Sequence, residues 1–217
     1  MTRRRALAAL AALALAAAPF AVPRVARLFG VSPLPDNWTE ARAGWLYRSG
    51  AIPSRDAVNV LRSQRIGTVL DLTDADHDKA AGSAAERAAA AKLGIRYVHL
   101  PVEQPRSALL AALAQAVAEI ERARLRGDRV LVHCQYGHRR SAAALALYAR
   151  VVEHEPPDVA YVEFTRYSDA DSTWSAGVRK LLEDNLPELR AQIAAELAAP
   201  QPADPVPALD GRVARGG

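Results

Sequence analysis

The chain has 217 residues, 50% of them hydrophobic, which is enough for one domain with a real core and terminal extensions. Its 12 glycines and 14 prolines are too few for a chain that is disordered throughout. The net charge of +4 suits an anionic substrate or an anionic membrane surface. Because no dense basic run with interleaved aromatic residues is present, we expect no nucleic-acid partner.

The N-terminal segment, residues 1–23, places three arginines before an Ala-rich apolar run. This order is typical of a signal anchor or a signal peptide. Because Pro19 and Pro23 fall where cleavage would be expected, we favour an uncleaved anchor; the alternative is an Ala-rich leader without a targeting role. By the positive-inside rule, the main domain would then be anchored to the inner membrane and face the periplasm, or be exported.

After this segment the sequence divides into a linker, a main domain and a tail. Residues 24–44 are predicted as a linker because the stretch 31–44 within them is rich in proline and polar residues. The main domain is expected over residues 45–197. The Pro-, Ala- and Gly-rich residues 198–217 form a tail that is predicted to be disordered.

Within the main domain, short apolar runs alternate with longer segments of helical periodicity. Strands that alternate with helices favour an α/β fold with a central, mainly parallel sheet of four to five strands flanked by helices. The predicted strands are 45–50, 68–72, 95–100 and 129–133, and the predicted helices are 54–64, 83–92, 107–124, 141–152 and a helical C-terminal region over 158–197.

The loop 133–141, HCQYGHRRS, lies between a predicted strand and a predicted helix. Backbone N–H groups and the partial positive charge at the start of a helix bind anions. Gly137 permits a positive φ or a close backbone approach in mid-loop. The single cysteine of the chain, Cys134, excludes a disulfide within the chain. Because Cys134 lies in this positive field, we expect its thiol to have a lowered pKa. The resulting thiolate is a nucleophile for phosphorus.

The other loop residues have roles that follow from their chemistry. The planar guanidinium of Arg140 can grip two phosphate oxygens. Ser141 can hydrogen-bond the departing sulfur, His133 is expected to order the loop, and the side chain of Tyr136 is interpreted as a packing group. The predicted phosphate-binding residues are Gln135, Tyr136, Gly137, His138, Arg139 and Arg140.

The order His-Cys, five residues, Arg-Ser, with Gly three residues after the Cys, resembles the protein tyrosine and dual-specificity phosphatase superfamily. The segments 47–50, 67–72 and 93–102 (YRSG, GTVLDL and LGIRYVHLPV) resemble its bacterial members, so that the resemblance covers about residues 44–168. It implies a three-layer phosphatase fold and a metal-free, cofactor-free hydrolysis of phosphomonoesters in two steps through phospho-cysteine. The implied substrate is a protein carrying phosphotyrosine or phosphoserine/threonine, and we expect a monomer.

A general acid that protonates the leaving oxygen is also implied by the resemblance. Such phosphatases usually carry an aspartate on a loop about thirty residues before the cysteine. The matching loop here, 101–107, has no aspartate, and Glu103, which lies 31 residues before Cys134, is the first candidate. The alternatives follow a predicted parallel strand, whose end would lie at the same sheet edge as the loop. They are Asp71, Asp74, Asp76 and Asp78.

Three other functions stay open at this point. A phosphoinositide or inositol phosphate phosphatase would suit the basic pair His138–Arg139 and a membrane anchor, with a phospholipid or inositol phosphate as substrate. A rhodanese-like sulfurtransferase also uses a cysteine loop, although the Arg-Ser ending argues against it. A non-catalytic phosphate-binding module would explain a missing acid, but the presence of Cys134, Arg140 and Ser141 argues against complete loss of activity.

Overall fold

The computed structural model describes residues 34–74, 81–102, 106–162 and 172–200. The chain divides into two units, Met1–Leu34 and Pro35–Gly217, and the elements below belong to the second. Over the described ranges, no helix is both long and apolar enough to cross a membrane. The predicted anchor and nearly all of the predicted tail lie outside the described residues.

The described residues form one five-stranded sheet. In chain order its strands are β1 (Thr39–Arg42), β2 (Leu46–Ser49), β3 (Thr68–Asp71), β4 (Arg96–His99) and β5 (Val130–His133). They lie side by side in the order β1-β2-β5-β3-β4. All neighbours are parallel except β1, which is antiparallel to β2. The predicted α/β fold with a mainly parallel sheet is confirmed.

The helices lie close to the predicted positions. Where the structure describes the chain they are α1 (Ala57–Ser63), α2 (Ala81–Leu93), α3 (Arg106–Arg126), α4 (Arg140–Val151), α5 (Pro157–Ala160), α6 (Ser172–Asp184) and α7 (Leu186–Ala198). Helix α1 is shorter than expected, because Asp56 rather than Ser54 precedes its first turn. Helix α2 ends before Gly94, which takes a φ of +67°.

Both faces of the sheet are buried, because alternate strand residues pack against different helices. Leu70 and Val132 belong to a core that includes residues of α3, α4, α6 and α7. Val69 and Leu131, their neighbours in sequence, belong to a second core with α1 and α2. The two cores on opposite faces confirm the three-layer arrangement.

The first strand corrects the linker predicted over residues 24–44. β1 pairs with β2 through Thr39 with Arg48 and Glu40 with Tyr47, so the folded unit includes residues placed in the linker. The strand reads TEAR and has no fully buried residue. A short edge strand that is polar and partly exposed shows no apolar alternation, so the hydrophobic pattern gave no sign of it.

The carboxyl ends of the parallel strands form the edge where the loop of Cys134 lies. Strand register places Ser49 and Asp71 on either side of His133, the last residue of the central strand β5. Residues 134–139 then lead from β5 into α4. In parallel α/β sheets this edge is where ligands bind.

Candidate active site

The shape of the loop depends on Gly137. Its φ is +75°, in the left-handed region that favours glycine. A Cβ at this position would lie 2.3 Å from the carbonyl carbon of Ser49 and 2.4 Å from the amide nitrogen of Gly50. A side chain therefore cannot be added without moving the end of β2 or the loop.

The outer side of the loop is held by the segment that precedes β1. The side-chain amide of Asn37 donates a hydrogen bond of 2.7 Å to the carbonyl of Tyr136. The amide of Ala51 donates to the carbonyl of Gln135 at 3.2 Å, and the amide of Gly50 donates to the backbone carbonyl of Asp36 at 2.7 Å. Asn37 thus supports the loop, a role that could not be predicted because its segment resembles a polar linker.

Cys134 lies at the base of the loop, with 3% of its surface exposed. Its Sγ is 3.6 Å from the hydroxyl oxygen of Ser141, in the first turn of α4. Burial alone would raise the pKa of this thiol. The N–H groups of Ser141, Gly137 and Tyr136, together with the Ser141 hydroxyl, outweigh burial and lower the pKa. This environment favours a thiolate.

Arg140 begins α4 at the mouth of the loop, and its guanidinium points to the segment after β3. Its Nη2 donates to Asp74 Oδ2 at 2.8 Å, while Nη1 lies 3.5 Å from the carbonyl oxygen of Leu72. The side chains of Arg140 and Asp74 are 28% and 44% exposed. A bound phosphate would therefore meet an arginine that is already paired with a carboxylate.

Asp71 lies beneath the loop rather than at its mouth, since it is fully buried. Its carboxylate accepts hydrogen bonds from Tyr97 at 2.6 Å and from the amide of Thr73 at 2.9 Å. Burial would raise its pKa, but the charge of His133 and these hydrogen bonds lower it. A buried carboxylate of lowered pKa is unsuited to protonate a leaving group.

Two residues beneath the loop were not predicted. Glu86 of α2 is buried, and its Oε1 lies 3.1 Å from His133 Nε2, while Tyr97 of β4 bonds the neighbouring Asp71. Neither has a motif around it, and only the packing of α2 and β4 beside β3 brings them to the loop. A single Glu in an Ala-rich helix gives no signal of this position.

The side chain of Tyr136 lies at the surface beside the loop, so its interpretation as a packing group is wrong. Its ring is 66% exposed and stacks on His138, with ring centres 5.9 Å apart and planes at 26°. Arg139 is also exposed, while His138 is half-buried. The rim of the loop therefore has an aromatic pair next to a basic side chain.

Comparison with known proteins connects this geometry to a family. A family model, "Dual specificity phosphatase, catalytic domain", matches residues 47–161, which is more than half of the chain. The chain belongs to this family. It is therefore a cysteine-dependent phosphatase, and the sulfurtransferase and the non-catalytic module are set aside. Among curated proteins, none matches the sequence.

Solved structures share the phosphatase fold at low sequence identity. PTPMT1 in complex with PI(5)P has 18% identity and a TM-score of 0.54, covering 75% of this chain and 100% of that one. TpbA of P. aeruginosa has 20% identity and a TM-score of 0.52, covering 70% of this chain and 88% of that one. TpbA in complex with pTyr has 20% identity and a TM-score of 0.50, covering 70% and 87%.

Three of the candidate acids of this dual specificity phosphatase domain lie outside the described residues: Glu103, Asp76 and Asp78. Of the other two, Asp71 is buried beneath the loop and Asp74 is paired with Arg140. Where the chain is described, no three His, Cys, Asp or Glu side chains are grouped as ligands for a metal ion.

Proposed function

We propose that the protein hydrolyses phosphomonoesters through a phospho-cysteine intermediate on Cys134, with proteins carrying phosphotyrosine or phosphoserine/threonine as substrates. The observation that carries this proposal is the buried Cys134 thiol, whose pKa is lowered by the N–H groups of its own loop and by Ser141. The N–H groups of Tyr136 and Gly137 in the loop and of Ser141 in the first turn of α4 are placed to cradle a phosphate.

In the first step, the Cys134 thiolate attacks phosphorus on the side opposite the leaving oxygen. The S–P bond forms as the P–O bond to the substrate alcohol breaks, and the leaving oxygen takes a proton from the general acid. Glu103 is the first candidate for this acid. Arg140 stabilises the charge on the phosphoryl oxygens. To do so, its guanidinium leaves the Asp74 carboxylate and binds the phosphate instead.

In the second step, a water molecule attacks phosphorus and the S–P bond breaks, which releases inorganic phosphate and returns the thiolate. The Ser141 hydroxyl, 3.6 Å from Sγ, is placed to donate a hydrogen bond to the departing sulfur. The general base for the water would be the carboxylate that served as acid in the first step.

The rim of the loop supports a phosphoprotein substrate. The exposed Tyr136 ring, stacked on His138, offers an apolar wall on which an aromatic phosphoester can pack. The alternative, a phosphoinositide or inositol phosphate, is supported by the exposed Arg139 beside His138. Solved structures with this fold hold either PI(5)P or pTyr, so the fold alone does not choose between these substrates.

A substrate panel tests both parts of the proposal. Wild type and Cys134→Ser are assayed for phosphate release from phosphotyrosine and phosphoserine peptides, phosphoinositide vesicles and soluble inositol phosphates. We expect wild type to prefer peptides and Cys134→Ser to be inactive on every substrate. A clear preference for inositol phosphates would overturn the substrate, and turnover by Cys134→Ser would overturn the nucleophile.

We also propose that residues 1–23 anchor this domain at the inner membrane facing the periplasm, or export it. Support comes from the three arginines before an apolar run. Fusing the full chain to reporters that are active on only one side of the membrane tests the proposal. Activity on the periplasmic side is expected, and activity confined to the cytoplasm would overturn it.

A further inference from the structure

We propose that Glu86 is a positioning residue for the nucleophile, because it keeps His133 protonated beneath the loop and this buried cation holds Cys134 as the thiolate. The inference rests on the proposed role of Cys134. It assigns a function to a carboxylate on α2 that the two chemical steps do not use.

The geometry places the imidazole of His133 beside two buried carboxylates. His133 is 1% exposed, and its Nε2 lies 3.1 Å from Glu86 Oε1 and 3.8 Å from Asp71 Oδ1. Glu86 and Asp71 are themselves 2% and 0% exposed. The closer contact is an ion pair rather than an aligned hydrogen bond, since neither atom has a hydrogen-bond partner among the described residues.

The two carboxylates differ in what else they bind. Both oxygens of Asp71 accept hydrogen bonds from other groups, the hydroxyl of Tyr97 and the amide of Thr73. The nearer oxygen of Glu86 has no hydrogen bond within the described parts of the chain. Its charge is therefore not dispersed by another donor at that oxygen, and Glu86 is the stronger partner of His133.

The ionisable groups around His133 come from several elements. Glu86 on α2, Asp71 at the end of β3 and Cys134 in the loop act on His133 directly. Further out, Tyr97 on β4 donates to Asp71, and Arg87 on α2 lies over the Tyr97 ring. At the start of α4, Arg140 pairs with Asp74. Burial alone would lower the pKa of His133. The contact with Glu86, the largest opposing contribution, acts together with the charges of Asp71 and Cys134 to outweigh burial and raise the pKa to about 9.

This cation matters because the thiolate it adjoins is itself buried. Loop N–H groups and the Ser141 hydroxyl supply only partial charges, whereas protonated His133 supplies a full one in the residue next to Cys134. A buried imidazolium persists only with a buried counter-ion. Without the Glu86 charge, His133 would lose its proton near neutral pH, and the thiolate would lose this support.

The experiment compares wild type with Glu86→Gln, which keeps the shape and removes the charge. NMR follows the titration of the His133 ring, and the pH dependence of alkylation by iodoacetamide reports the thiol, which is the single cysteine of the chain. We expect the pKa of His133 to fall and that of Cys134 to rise, each by about one unit, so that alkylation below the wild-type thiol pKa slows about tenfold.

A matched control is Glu121→Gln, a nearly buried glutamate of α3 that pairs with Arg124. It should leave both titrations unchanged. A folded Glu86→Gln protein with unshifted titrations would overturn the proposal, and so would a fall in the pKa of Cys134. If Glu86→Gln does not fold, the wild-type titration decides, because a His133 pKa below 7 would also overturn it.

Neither titration requires turnover, so the role of Glu86 is tested independently of the proposed phosphatase activity. If wild type hydrolyses no phosphomonoester although its His133 and Cys134 titrate as expected, the enzymatic role of Cys134 is wrong and the role of Glu86 stands. Unshifted titrations in an active Glu86→Gln enzyme would count against Glu86 alone.

Discussion

Two ion pairs flank Cys134, one on each side of its loop. At the mouth, Arg140 and Asp74 are 28% and 44% exposed, whereas beneath the loop His133 and Glu86 are 1% and 2% exposed. An exposed pair contributes only about 0–1 kcal/mol, while breaking a buried one costs about 3–5 kcal/mol. The outer pair can therefore yield to a substrate phosphate, and the inner pair is a permanent part of the fold.

This comparison predicts that changes beneath the loop alter stability and pH dependence, while changes at the mouth alter kinetics. Four measurements examine that division, in order of decreasing expected effect.

The largest effect is expected in the pH dependence of stability. The pKa of His133 is raised from 6.5 to about 9, so its stabilising contribution is complete below pH 6.5 and is lost as the pH rises through 9. In a Cys134→Ser background, which removes the titration of the thiol, the free energy of unfolding should fall by about 3 kcal/mol over this interval. Urea unfolding at several pH values measures it.

A free energy of unfolding that does not change with pH would contradict this prediction. If Cys134→Ser unfolds with the same free energy at pH 6.5 and pH 9, the imidazolium is not held by buried carboxylates. Adding Glu86→Gln to the same background serves as control, because it should flatten the profile.

The next effect concerns Glu103, the proposed proton donor. Glu103→Gln should lower kcat/KM for phosphoserine peptides about a hundredfold and abolish the fall in rate at high pH, because an alkoxide leaves poorly without a proton. Aryl phosphates with acidic leaving groups should lose much less. Unchanged turnover and an unchanged pH profile would remove Glu103 from the mechanism.

A smaller effect is expected when the outer ion pair is broken. Asp74→Asn frees Arg140 for phosphate, so the inhibition constant of inorganic phosphate should fall about threefold, in line with a half-exposed pair. Steady-state inhibition measures this constant. A hundredfold loss of kcat with loss of the high-pH limb would instead make Asp74 the general acid.

The smallest effect is expected at the aromatic rim. Tyr136→Ala removes the wall beside the loop, and kcat/KM for phosphotyrosine peptides should fall about three- to tenfold relative to phosphoserine peptides. The ratio of the two rates measures the change. An unchanged ratio would remove Tyr136 from substrate selection.

The sequence predicted much of the fold because its signals are local. The alternation of apolar strands and helices gave the layers, and Gly137 was singled out at a position where a Cβ would lie 2.3 Å from Ser49. β1 was missed because an edge strand needs no apolar face.

The loop itself was predictable, whereas its supports were not. The motif fixes Cys134, Arg140 and Ser141 within eight consecutive positions. Glu86 and Asn37 reach the loop from distant segments, through the packing of α2 and through the turn before β1. Nothing near them in sequence marks these contacts, since they depend on how the elements pack.

The most direct test of the account is to trap the phosphoryl group on the protein. Ser141→Ala should slow release of the thiolate, so that mass spectrometry of acid-quenched enzyme, mixed with a phosphotyrosine peptide, finds one phosphoryl group on Cys134. We expect this adduct in Ser141→Ala, and we expect both the adduct and all turnover to be lost in Cys134→Ser. Phosphate release that continues in Cys134→Ser, or a phosphoryl group on any other residue, would contradict it.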